Sequence, residues 1–89
     1  MRHILKIWPQ YYCRVADGSK TFEVRKNDRG FQPGDTVILR EFDPDHVDDD
    51  YYAGVTKGRY TGSKDLEFVI GYVLPIDAER VVFSLLRKD

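Results

Sequence analysis

A single cysteine, Cys13, is all the chain offers for sulfur chemistry. It excludes an internal disulfide, and with only two histidines, His3 and His46, no Cys/His zinc spacing can be assembled. Long apolar runs are equally scarce. None approaches the roughly 20 residues a bilayer span requires, and the first residues do not resemble a signal peptide. These lacks point to a soluble protein of a reducing, cytoplasmic compartment, without membrane or metal partners. Charge of one sign is missing too: 14 Lys+Arg stand against 15 Asp+Glu, a net charge of −1. Bulk electrostatic attraction to nucleic acid is therefore excluded. There is no phosphate-binding P-loop, no dinucleotide glycine fingerprint and no serine in a nucleophile-elbow setting. The acidic run "DPDHVDDD" lacks the glycine and terminal glutamate of an EF-hand loop. No cofactor is expected.

What the chain does have is aromatic side chains: six Tyr, five Phe and one Trp, 13% of its 89 residues. A chain this short buries only about 60–65% of the surface its unfolded form exposes, so those rings are needed to fill one core. The expectation is one domain over residues 1–89. "HILKIW" (3–8) reads as a strand, and "PQYYCRVADG" (9–18) as a short helix with Pro9 at its first position and Gly18 as its stop. Residues 20–26 form a second strand. "NDRG" and "FQPGD" are turns, and "TVILREF" (36–42) is a strand of strong β-propensity. Residues 43–52 form an acidic, mobile loop, followed by "RYTG" as a short strand and turn. "DLEFVIGYVL" (65–74) is a long strand bent at Gly71, and "RVVFSLL" (80–86) is the last strand. The fold class is mainly β with one or two short helices (α+β). A small, partly open barrel carrying one helix is the economical architecture, since closure removes exposed edges.

The chemistry concentrates in "GSKTFEVRKNDRG". Lys20, Arg25, Lys26 and Arg29 face Glu23 and Asp28, whereas the stretch from Glu41 to Asp50 carries six carboxylates and no Lys or Arg. Strand periodicity puts Glu23 and Arg25 on one face and Phe22 and Val24 on the other, the latter pair directed into the core. Lys20 stands at the strand entrance, where the preceding turn aims its amine towards a cleft. A guanidinium two residues from a carboxylate either pairs with it on a solvated surface or shares a ligand, Arg taking a phosphate and Glu an exocyclic amine.

The segments His3-x-Leu5-Lys6-Ile7, Gly18-x-Lys20-x-x-Glu23-x-Arg25, Lys26-Asn27-Asp28-Arg29, Gly34-Asp35 and Leu39-Arg40-Glu41 together resemble the start of the small ASCH-type domains of the PUA-like superfamily. They are most similar to a bacterial and phage family of short stand-alone ASCH-like proteins of unknown function. Tyr60-Thr61-Gly62 and Gly71-Tyr72-Val73 fit the same pattern, and the likeness covers most of the chain. The resemblance implies a PUA-like mixed β-barrel whose charged motif lines a cleft for RNA or a modified nucleotide. One branch of those domains hydrolyses acetylated cytidine with a motif lysine, a nearby threonine and a glutamate from a later strand. Lys20 matches that lysine. Glu23 stands where that branch has its threonine, and Glu67 is the candidate for the later carboxylate.

The first expectation is therefore a binding module for RNA or a nucleotide-like ligand, with Lys20, Glu23, Arg25, Lys26, Arg29, His3 and Lys6 as ligand-binding residues. The alternative is a small amidohydrolase acting on a modified nucleoside such as N4-acetylcytidine, with Lys20 and Glu23 as the catalytic pair. A third reading makes the acidic loop a protein-contact surface. Trp8, Tyr11 and Tyr12 are read as core, with a stacking platform as the alternative. Tyr51 and Tyr52 either stack on a base or anchor their loop.

Overall fold

Pro9 and the alternation of His3, Leu5 and Ile7 with charged and apolar neighbours set the first two elements. In the computed structural model, which describes residues 1–52 and 54–88, β1 (Arg2–Ile7) buries His3, Leu5 and Ile7 and exposes the residues between them. Ala53, which follows the expected acidic loop, and Asp89 lie outside the described residues. Trp8 then turns the chain into helix α1 (Pro9–Ala16), whose first turn is held by Tyr11 N–H and Tyr12 N–H donating to Trp8 O at 3.0 and 2.9 Å. Pro9 lacks an N–H at a position where none is used. Val15 is the buried residue of this helix.

The remaining strands are β2 (Phe22–Lys26), β3 (Thr36–Asp50), β4 (Gly54–Tyr60), β5 (Leu66–Pro75) and β6 (Arg80–Arg87). They form one sheet in the order β1-β3-β5-β6-β2, with β4 paired to the far part of β3. β1 runs parallel to β3, and the other pairs are antiparallel. A parallel pair needs a crossover, which α1 and β2 supply. The core gathers Leu5 and Ile7 of β1, Val37 and Leu39 of β3, Ile70 of β5 and Val81, Phe83 and Leu85 of β6 around Phe31. Val37, Ile38 and Leu39 are all buried, so β3 is covered on both faces there, as its unbroken apolar run requires.

Gly71 lies where the β5–β6 register shifts, between Ile70 and Val73. A side chain there would begin 2.7 Å from Ser84 Oγ and 3.0 Å from two carbons of Leu86, so the strand bends at the one residue that permits this approach. Ser84 Oγ in turn accepts from Tyr72 N–H at 2.9 Å, a backbone donor that the shift takes off the ladder.

The structure bears on three expectations, and it corrects the last two. First, closure: among the described residues the chain is mainly β with one helix, as expected, and its sheet is not closed, since β1 and β2 remain the two edges of the sheet order and no backbone ladder joins them. Side chains cross instead. Arg25 Nη2 donates to Lys6 O at 2.7 Å, and Arg29 Nη1 donates to Ile4 O at 3.0 Å.

Second, the acidic segment is strand rather than loop. β3 continues to Asp50 and pairs with β4 through Asp43↔Arg59, Val47↔Lys57 and Asp49↔Val55. Arg59 lies opposite Asp43 and Lys57 opposite Val47, next to Asp48, so two cations of β4 offset part of the repulsion within the run. The register breaks between Asp43 and Val47, across Pro44, which has no N–H to give a ladder. The result is a hairpin arm whose tip carries Tyr51 and Tyr52, both almost fully exposed and stacked edge-on at 5.1 Å.

Third, the faces of β2 are exchanged. Phe22 and Val24 are 45% and 43% exposed, whereas Glu23 is 4% exposed. The register explains it. Glu23 lies opposite Phe83 and Arg25 opposite Val81, both core residues of β6, while Phe22 and Val24 lie opposite Ser84 and Val82 on the outer face. Directly opposed residues of an antiparallel pair share a face. β6, not the polarity of β2, decides which way β2 looks.

Candidate functional site

Because β2 presents its charged face inward at a sheet edge, a buried carboxylate must be partnered there. Glu23 is held from both sides. Lys20 Nζ donates to Oε1 at 2.5 Å, and Arg25 donates to Oε2 through Nε at 2.9 Å and Nη2 at 2.8 Å. The Glu23 side chain is 5% exposed, those of Lys20 and Arg25 19% and 23%. Lys20 Nζ also donates to Phe22 O at 2.7 Å. The turn that aims it there is fixed by Lys20 N–H on Arg14 O at 2.9 Å and Ser19 N–H on Asp17 Oδ1 at 2.8 Å. The amine, the carboxylate and the guanidinium thus converge on one place.

That place is a cleft of about 760 Å³ between the two open edges. Ile4, Leu5, Lys6 and Ile7 of β1 form one wall, and Glu23, Val24 and Arg25 of β2 the other, with Arg29 beyond the strand end. Trp8 and Tyr11 stand at the helix end and Tyr60 at the foot of the arm. Lys6 Nζ lies 4.2 Å from the centre of the Phe42 ring and 5.8 Å from that of Tyr60, a cation–π arrangement. Trp8, Phe42 and Tyr60 follow one another at 6.0 and 5.2 Å. Of the cleft residues, Lys6, Lys20, Arg25 and Arg29 are cationic and Glu23 is anionic, a net charge of +3 in a chain whose total is −1. Chemically, the site can take an anion at its cations and a flat group against its rings.

The other expected site residues lie elsewhere. His3 is buried on the inner face of β1, outside the cleft walls: its Nε2 pairs with Asp35 Oδ2 at 2.8 Å and its ring packs on Phe31 at 4.7 Å. Asp35 also accepts from the Met1 amine at 3.0 Å and from Gln32 N–H at 3.1 Å. The hydrogen bond from His3, followed by those from the amine and Gln32, holds its carboxyl down at about 2 despite burial. Lys26 sits on the exposed outer parity of β2, opposite Arg80. Glu67 lies on β5, is ion-paired with Lys88 at 3.0 Å, and does not line the cleft. Among the described residues no three of His, Cys, Asp and Glu gather where a metal ion could be held.

Sequence reasoning ranked the aromatic wall second. Trp8 and Tyr11, read as core with a stacking platform as the alternative, are 38% and 48% exposed at the cleft, and Tyr60, which was not singled out for stacking, is 48% exposed. Tyr12 does pack partly against the core, its hydroxyl donating to Lys64 O at 2.6 Å. A signal was available: Trp8 shares the parity of Ile4 and Lys6, opposite to the buried His3, Leu5 and Ile7. Tyr60 carried none, because the length of β4 was not legible.

No helix among the described residues is long and apolar enough to cross a membrane. Comparison with known proteins adds two findings. The chain is 29% identical over 92 aligned positions, covering 92% of its own length and 81% of the other, to a protein of Escherichia phage P2 described as "Uncharacterized 12.9 kDa protein in GpA 3'region". The family model described as "Domain of unknown function (DUF3850)" matches residues 2–84, nearly the whole sheet, so the chain belongs to the DUF3850 family.

Proposed function

We propose that the cleft between β1 and β2 binds RNA or a nucleotide-like ligand, and that the fold is a PUA-like barrel of the ASCH type left open at that point. The observation that carries this reading is the concentration of +3 in one concavity beside Trp8, Tyr11 and Tyr60. Phosphate is met by Lys6 and Arg29, the base by the rings, and a base edge by the Glu23–Arg25 pair, whose donors and acceptors are held in a fixed arrangement. Cys13, a free thiol, fits a cytoplasmic setting for this activity. Titration of short single-stranded RNA against the wild type and Arg29→Ala tests it. Weaker binding in the variant is expected, and binding that is absent or unchanged contradicts it.

The Lys20–Glu23 contact favours a second reading, a small amidohydrolase for a modified nucleoside such as N4-acetylcytidine. Water would attack the acetyl carbonyl and break its C–N bond, one of its protons passing through Glu23 and the Lys20 amine to the departing exocyclic amine, so that acetate, a proton and the free nucleoside leave. Glu67, paired with Lys88 away from the cleft, has no part in this version. Incubation with acetylated cytidine decides: turnover lost in Lys20→Ala supports it, and no turnover removes it for that substrate.

A further inference from the structure

Three features of the cleft bear on how much of a nucleic acid it can take. The gap between the edges is crossed at two levels, by Arg25 to Lys6 O and by Arg29 to Ile4 O. A strand cannot thread between β1 and β2 without breaking both links. The volume, about 760 Å³, is that of a small-molecule site rather than a polymer channel. Finally, Tyr60 at the rim and Phe42, whose ring lies 5.2 Å from it, are also the foot of the hairpin arm. From Asp43 to Tyr60 the arm holds Asp43, Asp45, Asp48, Asp49 and Asp50 against Lys57 and Arg59, a net charge of −3 with His46 neutral.

Asp43 follows Phe42 directly, and the next aspartates recede along the strand at about 3.3 Å per residue. A phosphodiester chain that leaves past Tyr60 and runs along the arm would meet Asp43 and Asp45 at the foot, with Arg59 and Lys57 across the ladder. It would then meet Asp48 and Asp49 about 16–20 Å out, where each passing phosphate lies within about a Debye length, 8–10 Å, of their carboxylates. The cleft attracts one anion, and the outer part of the arm, where the ladder sets Asp48 and Asp49 opposite the uncharged Thr56 and Val55, repels a strand that runs on along it.

Resting on the nucleotide-binding reading above, we infer that the cleft admits a single nucleotide unit, free or at the end of a strand, and refuses the interior of a continuous strand. The barred floor forces the ligand to enter and leave by one mouth, and the acidic arm closes one of the two directions in which a strand could run on. A chain end needs only one exit; an internal nucleotide needs two.

The experiment compares a mixture of the four ribonucleoside 5′-monophosphates, a short linear single-stranded RNA and the same sequence ligated into a circle. The linear RNA and the monophosphates are expected to bind, with the circle at least about tenfold weaker than the linear form. A circle that binds as tightly as the linear RNA overturns this inference and leaves the proposed function standing. Binding by none of the three overturns both. A second arm uses the exposed substitutions Asp45→Asn, Asp48→Asn and Asp49→Asn together, none of them in the cleft. Affinity for the circle should rise at least about threefold while that for the monophosphates stays unchanged. An unchanged circle affinity overturns the assignment of the arm as a barrier.

Discussion

Glu23 of β2 and Phe83 of β6 lie directly opposite each other on the inner face of the sheet, a carboxylate 4% exposed beside a core ring 1% exposed. The pairing is stable because Lys20 and Arg25 reach Glu23 from either side, and it places all three head groups at the open edge rather than deep in the core. One register thus sets both the packing of β6 and the electrostatics of the cleft.

Removing that carboxylate should be expensive. Glu23→Ala leaves two largely buried cations without their partner, and a loss of about 3–5 kcal/mol is expected. Urea denaturation with an unchanged slope measures it. A loss below about 1 kcal/mol would mean that Glu23 is not the organising charge.

The exchanged faces of β2 give a contrast between substitutions. Val24→Thr, on the outer face, should change stability by no more than about 0.5 kcal/mol. Val81→Ala, buried opposite Arg25, removes core atoms and should cost about 2–3 kcal/mol. Denaturant midpoints in the reverse order would return Phe22 and Val24 to the core.

Acid sensitivity should trace to Asp35. Its folded value, about 2, lies below the ordinary 3.8, so its contribution is fully present above about pH 4 and is lost as the pH falls towards 2. Urea midpoints between pH 6 and 2 should fall in that window for the wild type. Asp35→Asn should start lower and fall less. An equally steep decline in the variant would place the acid-sensitive group elsewhere.

Gly58 joins the arm to the cleft. Its φ is +86°, and a side chain there would begin 2.7 Å from Phe42 Cζ. Gly58→Ala should cost about 1–3 kcal/mol through backbone strain and displacement of the ring. Loss of protection of the β4 amides in hydrogen exchange, without equal loss in β6, would localise the effect. Uniform loss would contradict it.

Much of this was legible in the sequence. Pro9 and Gly18 bracketed the helix, and the β-branched and aromatic runs marked β1, the first half of β3, β5 and β6. Gly71 marked the bend. The charged motif named Lys20, Glu23 and Arg25, whose head groups meet. What was not legible depended on partners remote in sequence. The direction of β2 is decided by Phe83 and Val81 some 60 residues away in the chain. The strand character of Asp43–Asp50 comes from its pairing with β4, which lies beyond the turn of the hairpin. His3 offered the same residue type to a cleft or to a buried pair, and only the position of Asp35 resolves it. The rings of Trp8, Tyr11 and Tyr60 belong to three elements, and only the fold makes them neighbours of one cavity.

The central claim is that four cations and three rings make the gap between β1 and β2 a site for a phosphate-bearing ligand. Its most direct measurement is the salt dependence of binding of a short single-stranded RNA to the wild type, Lys6→Ala and Arg29→Ala. The account predicts affinity that falls as salt rises, and in each variant weaker binding with a slope shallower by about 0.7 for the lost phosphate contact. Binding of equal strength and slope in all three proteins, or no binding at all, would contradict it.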